Sequence, residues 1–363
     1  TTVVSAIRAT ILPRGVQSRL TASVTLAVRA VFRVAVGRQA SYERRDRAMA
    51  MLGPISLLGL LLTWIVLLLV AYALLYLAVA TTSVARALEL SGSSITTLGT
   101  TSVKRLLPDL ITYTEAGLGL LLVTLLITYL PSIYGAFSRR ENGVALLEVR
   151  AGNPPQATTM LIRYHRIEML GYRLTELWRS WESWFADVEE THTSFPTLAF
   201  FRSPQPQQSW ITAAGTILDG ASLWVAAVDH ERDPDAQLCL RAGYLCLRRV
   251  ANVFSVPYPE DPQAGDPITI SRQEFDQAFD QMAEAGMTMR ADRDAAWDDY
   301  RGWRVNYDTV LLNLARVVEA PVAPWVSDRT PLRPEQTWSL RSALVTRPVR
   351  PNVSPRASRR RGR

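Results

Sequence analysis

Oxygen donors are the groups best placed for chemistry in this sequence. The stretch 91–101 reads Ser91-Gly92-Ser93-Ser94-Ile95-Thr96-Thr97-Leu98-Gly99-Thr100-Thr101, small hydroxyl residues punctuated by glycine. In such a stretch backbone carbonyls and threonine hydroxyls can replace the hydration shell of an ion. The densest ionisable cluster lies elsewhere, at Asp229-His230-Glu231 with Asp233 and Asp235. These are metal-ligand types, but they fall between two expected helices beside Pro234, where a solvated loop is the simpler reading. His192, near Glu189 and Glu190, is read the same way, and no metal site is assigned. The chain has no P-loop, no Gly-x-Gly-x-x-Gly, no His-Glu-x-x-His and no Gly-x-Ser-x-Gly. No catalytic constellation emerges, so the sequence argues against an enzyme.

The segments on either side of the hydroxyl-rich stretch must position it. No charge occurs between Arg47 and Arg86. The apolar core of that segment, 55–80, would be about 39 Å long as a helix at 1.5 Å per residue, enough to cross a bilayer with tilt. The second segment, 116–138, is uncharged and bounded by Glu115 and Arg139-Arg140. Trp64, Tyr72, Tyr76, Tyr113 and Tyr129 add polar-tipped aromatics, of which those near the ends can anchor at the interface. Nine arginines precede the first span, three basic residues (Arg86, Lys104 and Arg105) lie in the connection 81–114, and Arg139, Arg140 and Arg150 follow the second span. Short basic flanks stay in the cytoplasm. The expected topology is therefore a multi-pass protein of the inner (plasma) membrane, with both flanks of the hairpin inside and the connection outside.

Thr97-Leu98-Gly99-Thr100-Thr101, on one loop between two spans, resembles the filter of the potassium-channel superfamily, which reads Thr-Val-Gly-Tyr-Gly. Glu115-Ala-Gly117-Leu-Gly119, Tyr129-Leu-Pro131-Ser-Ile-Tyr134, Phe137-Ser-Arg-Arg-Glu141 and Arg150-Ala-Gly-Asn-Pro-Pro155 extend the likeness over 47–155 to uncharacterised bacterial membrane proteins described as potassium-channel-like. The resemblance implies a re-entrant pore loop whose filter is lined by Thr96, Thr97, Leu98, Gly99, Thr100 and Thr101. It implies a short pore helix near 83–90, with its negative C-terminal end toward a cation. It also implies a monovalent cation, potassium first, as the transported ion. One loop per chain needs four chains to close a filter, so a homotetramer is expected. Gly117, Gly119 and Pro131 are the gating-hinge candidates; equally, the glycines allow close helix packing and Pro131 is a tolerated membrane proline that should kink the helix.

The departures from the pattern bear on selectivity. Thr101 stands where the second filter glycine would be and Thr100 where the tyrosine would be. A β-branched residue disfavours the positive φ that glycine supplies. The next acidic residue is Asp109, and Arg86 and Glu89 are unusual in a pore helix. Ion selectivity is left open, as is the plainer alternative of an ordinary external loop.

The rest of the chain reads as flanking parts. Residues 1–50 form a basic leader, in which 16–36 alternates apolar residues with Arg19, Arg29 and Arg33. That pattern suits an amphipathic helix on the inner membrane surface or a solvated linker helix. Thr1 is not an initiator methionine, so an upstream span is left open. Residues 141–320 read as a cytosolic all-α domain of about five helices: 160–190, 209–228, 234–253, 271–285 and 288–319. Ser271-Arg-Gln-Glu274 is a capping-box pattern. Trp178, Trp181 and Trp184 fall at helical spacing and are read as core. Cys239 and Cys246 lie seven apart on one helix face and suit a reduced cytosolic core. Residues 321–363 form a Pro/Arg-rich disordered tail, solvated or touching anionic lipid. The net charge of +7 sits in the membrane flanks and tail, with no nucleic-acid surface assigned.

The expected whole is an all-α membrane protein: two transmembrane helices flanking a re-entrant pore loop, followed by a cytosolic helical domain. Its partners are membrane lipid, copies of itself and an unidentified regulatory ligand, with no cofactor besides the transported cation. The function is a pore-loop cation channel with a degenerate filter; the rival is a non-conducting membrane-anchored sensor or interaction protein.

Overall fold

The computed structural model describes residues 19–36, 50–101, 105–167 and 172–330. Arg44-Arg45-Asp46-Arg47, Lys104, Leu170 and most of the expected tail lie outside the described residues. Within them the chain is all-helical, and the only β pairing is an isolated antiparallel bridge between Val228 and Met289. In chain order the helices are α1 (Arg19–Val36), α2 (Leu52–Val79), α3 (Val84–Ile95), α4 (Leu106–Ala151), α5 (Ala157–Arg166) and α6 (Tyr172–Ser194). A 3₁₀ turn (Pro196–Phe200) follows, then α7 (Trp210–Ala227), α8 (Pro234–Val253), α9 (Arg272–Glu284), α10 (Arg293–Arg304) and α11 (Asp308–Val317).

Two of these helices are long and apolar enough to cross a membrane. α2 has 28 residues, about 42 Å, and α4 has 46 residues, about 69 Å. Their outward faces are apolar yet uncovered: Leu58, Leu62 and Leu74 on α2, and Leu120, Ile127 and Leu130 on α4, are all exposed. Beyond residue 150 the large hydrophobics that remain exposed among the described residues are Ile167, Leu238 and Val322. A soluble surface rarely carries a contiguous apolar face of the first kind, so the two halves of the chain are built for different solvents.

α1 packs on α2, with Val24 and Val28 against Gly59 and with Leu20 in a cluster around Leu60 and Trp64. The sequence marked this helix as amphipathic without naming a packing partner; it lies along the first long helix. α4 runs unbroken through Pro131. The hydroxyls of Thr128 and Ser132 bond to the carbonyls of residues 124, 125 and 128 in the adjoining turns. α4 also runs past the expected domain boundary at residue 140: Val144, Leu147 and Ala151 enter the core of the second half.

That core is organised around α7, whose residues are all buried except Val225. A helix apolar on every side must be surrounded, and α5, α8, α10, α11 and the end of α4 supply the walls. Trp178 and Trp181 are buried there, as the helical spacing implied, and Trp184 caps the junction with α4. Two expected long helices are divided. The 160–190 segment becomes α5 and α6. The 288–319 segment becomes α10 and α11, because Tyr307 leaves helical geometry (φ −129°). Beside the break, Arg304 and Tyr307 meet Asp219 of α7: Arg304 Nη1 is 2.5 Å and Tyr307 Oη 2.8 Å from Asp219 Oδ1, and Arg304 Nε is 2.8 Å from Asp308 Oδ1. The capping box at Ser271 and Glu274 forms as its pattern predicts.

The glycine pair on α4 divides sharply. A Cβ on Gly119 would collide with the backbone carbonyl of Ile95, whereas one on Gly117 would meet open space. Gly119→Ala is expected to lower the thermal midpoint of the detergent-solubilised protein, by the equivalent of about 1–3 kcal/mol for an overpacked site. Gly117→Ala should leave the midpoint within error.

Candidate functional site

Ser83 begins α3 by accepting a hydrogen bond from the Arg86 amide. The helix is one turn longer than the sequence suggested, ending at Ile95, with Thr96 as its C-terminal cap. Its contacts step backward along α2: Ala87 and Leu90 cluster with Tyr76 and Ala73, the Ser91 hydroxyl donates to the Leu69 carbonyl at 3.0 Å, and Ile95 clusters with Leu68 and Trp64. α3 therefore runs antiparallel to α2. Leu69 lies ten residues before Val79, so the C-terminal end of α3 sits about 15 Å or more back along that helix. α4 then passes the same levels in order: Thr112 beside Tyr76, Glu115 beside Ser91, and Gly119 against Ile95.

At that depth the residues 96–101 fold back on the end of α3. Ser93 is the hook: its carbonyl accepts from the Leu98 amide at 3.1 Å, and its hydroxyl meets Thr100 Oγ1 at 3.1 Å and the Thr101 amide at 3.2 Å. Thr96, Thr97, Leu98, Gly99 and Thr100 are all exposed, and Leu98 is 71% exposed. Two residues take the left-handed conformation, Thr97 (φ 58°) and Gly99 (φ 66°). Glycine adopts it freely; for a β-branched threonine it costs on the order of 1–3 kcal/mol. The sequence raised this conformational problem at Thr101, but the structure puts it at Thr97. Arg86 and Glu89 pair with each other at 2.7 Å on the exposed side of α3.

Of the hinge candidates, Gly117 and Pro131 lie on exposed faces of α4. Gly119 is the contact point for α3, a packing role rather than open freedom.

A second polar centre lies where the long helices meet the helical domain. Arg140 is fully buried at the end of the uncharged part of α4. Its Nε donates to Glu141 Oε1 at 2.8 Å, Nη1 to the Leu198 carbonyl at 2.9 Å, and Nη2 to the Phe201 carbonyl at 2.8 Å. Nη1 also lies 3.1 Å from His192 Nε2. Arginine has no acceptor, so Nε2 must carry the lone pair, and the Nδ1–H donates to the Val188 carbonyl at 2.9 Å. Burial, reinforced by the Arg140 charge, holds the His192 pKa well below its ordinary value. Arg140 thus pins the segment 195–201 to α4. Leu198 packs with Leu57 and Ile133, and Phe201 presses on Gly53 at the start of α2. One turn of the helical domain is wedged between the ends of both long helices.

The other candidates resolve into structural roles. His230 stacks on Trp224 at 4.1 Å between centroids, and Asp233 caps α8 and accepts from Trp224 Nε1 at 3.0 Å. Asp235 pairs with Arg179 at 2.9 Å. Among the described residues no group of three or more His, Cys, Asp or Glu side chains is arranged to hold a metal. Cys239 and Cys246 are buried and unpaired, with thiol pKa values raised by burial. Nothing in the sequence signals the Arg140–His192 centre. An arginine ending a span reads as a membrane-flanking charge, and the partner carbonyls lie 58 and 61 residues away. No family model matches the chain, nor does any curated protein or solved structure, so the geometry alone carries the functional reading.

Two outcomes test this centre. Arg140→Met leaves the buried Glu141 and the Phe201 carbonyl without their partner, and should cost about 3–5 kcal/mol of stability in thermal unfolding. Arg139→Met removes a surface pair with Asp187 and should cost under about 1 kcal/mol. Because the folded pKa of His192 is depressed, its contribution to stability is present above about pH 6.5, the unfolded value. It is lost as pH falls below that value. The midpoint should drop between pH 7 and pH 5, and His192→Gln should flatten that part of the profile.

Proposed function

We propose that this chain is one subunit of a pore-loop cation channel of the inner membrane, with its helical domain in the cytoplasm. One observation carries the reading. α3 runs back along α2 and delivers Thr96, Thr97, Leu98, Gly99 and Thr100, still exposed, and the half-buried Thr101 to a level between the two long helices. Irregular backbone at membrane depth is tolerated only where protein or a water-filled cavity covers it. Four copies around a common axis would cover it, with the carbonyls and threonine hydroxyls of each loop facing a shared ion path. The C-terminal end of α3 would add its negative dipole. The basic flanks of the hairpin place Arg140 and its wedge on the cytoplasmic side. There the wedge touches both helices, as a regulatory domain would have to in order to bias a gate. Potassium is the first ion to try, but the missing second glycine favours weak selectivity.

A non-conducting anchor or sensor is the second reading, and the Ser93 hook favours it. A loop tied to its own helix through Thr100 and Thr101 has fewer free oxygens for an ion.

Flux into liposomes separates the two, with potassium, sodium and chloride gradients imposed in turn. The channel reading predicts a cation flux at least tenfold lower in Gly99→Ala and in Thr97→Ala, together with a tetrameric mass in detergent. Correctly inserted protein that is monomeric or dimeric and passes no ion would leave the anchor or sensor.

A further inference from the structure

The pore reading leaves one buried group unused. Glu115 on α4 has no solvent exposure. Its Oε1 faces the Ser91 hydroxyl, and its Oε2 has no hydrogen-bond partner among the described residues. The hydrogens do not suffice: Ser91 carries one, yet its oxygen faces both this carboxylate and the Leu69 carbonyl at 3.0 Å. Two acceptor oxygens share a single proton. Just beyond them, the Tyr76 hydroxyl lies 3.1 Å from Ser94 Oγ and 3.0 Å from Thr112 Oγ1. Every polar group gathered here is an oxygen.

Among the described residues no basic side chain answers the carboxylate. α2 contains no charged residue. On α3, Arg86 is occupied by Glu89 on the exposed side. On α4 the nearest charged residue toward the N-terminus is Asp109, and Arg139 and Arg140 lie more than six turns beyond. A lone carboxylate away from water is destabilising by several kcal/mol, so either a proton or a cation must offset its charge.

We propose that Glu115, Ser91, Ser94, Tyr76, Thr112 and the Leu69 carbonyl form a binding site for a monovalent cation between α2, α3 and α4. One carboxylate among neutral oxygens balances a single positive charge, whereas divalent sites gather several carboxylates or keep much of their water. The site faces into the helix bundle, and the residues 96–100 face out of it, so it is separate from the proposed ion path. The bound ion ties α3 to both long helices and holds the end of α3, from which the loop departs. The inference rests on the membrane placement of these helices in the reading above, not on conduction.

The test is thermal unfolding of the full chain in detergent at fixed pH and ionic strength, with choline replaced stepwise by sodium or by potassium. The midpoint should rise and saturate with at least one of the two ions. Glu115→Gln should abolish the ion dependence. Ser91→Ala, which keeps the carboxylate, should raise the half-saturating concentration about tenfold and serves where the first variant does not fold. A wild-type midpoint indifferent to both ions overturns the proposal. So does one that follows pH alone, since a proton would then neutralise the carboxylate, and so does an ion dependence that survives in Glu115→Gln. Because no flux is read, failure here leaves the channel reading standing, and a non-conducting protein could still bind the ion.

Discussion

A guanidinium buried where the two long apolar helices meet the helical domain sets the terms for the rest of this molecule. Arg140 has no exposed surface, and its donors are answered by one carboxylate, two backbone carbonyls and a neutral imidazole. A charge so placed is tolerable only if every donor is met. Those partners come from three places in the chain, so α4, the end of α6 and the 3₁₀ turn must hold one arrangement together. The depressed pKa of His192 is part of the same requirement: a second positive charge beside Arg140 would undo it.

The mechanical consequence runs in both directions from that point. α4 is one continuous helix from beside Tyr76 to the core under α7, so movement at either end is carried to the other. The wedge at 195–201 adds a second connection, through Leu198 to Leu57 and through Phe201 to Gly53. The helical domain therefore holds the ends of both long helices. On the far side of the bundle the polar economy changes. There hydroxyls and carbonyls on α2, α3 and α4 bond to one another, and among the described residues the charges are few: the buried Glu115 and the surface pair Arg86–Glu89, with Arg105 and Asp109 where α4 begins.

Much of this was legible in the sequence where a single local cause decides the outcome. Uncharged length fixes α2 and the middle of α4, residues 116–138. Period and capping fix α8 and α9, the latter down to its capping box. What escaped depends on contacts between distant residues. The division of 288–319 at Tyr307 leaves no mark in the periodicity, and neither does the contact of Arg304 with Asp219, some 85 residues earlier. Gly117 and Gly119 look alike in sequence and differ only in whether the Ile95 carbonyl stands in front of them. The conformational stress of the loop was placed at Thr101 by matching a filter pattern, while the Ser93 hook moves it to Thr97.

The account stands or falls on whether the loops at 96–101 from several copies meet around one axis within the bilayer. A nitroxide on Leu98→Cys, in protein reconstituted into lipid nanodiscs, reports this directly, because Cys239 and Cys246 are buried and should not label. Dipolar spectroscopy should give two distances in the side-to-diagonal ratio of a square, with the label at mid-bilayer depth yet accessible to water-soluble relaxants. A label without dipolar coupling, lying at headgroup level, would contradict the assembly and return the loop to an ordinary external connection.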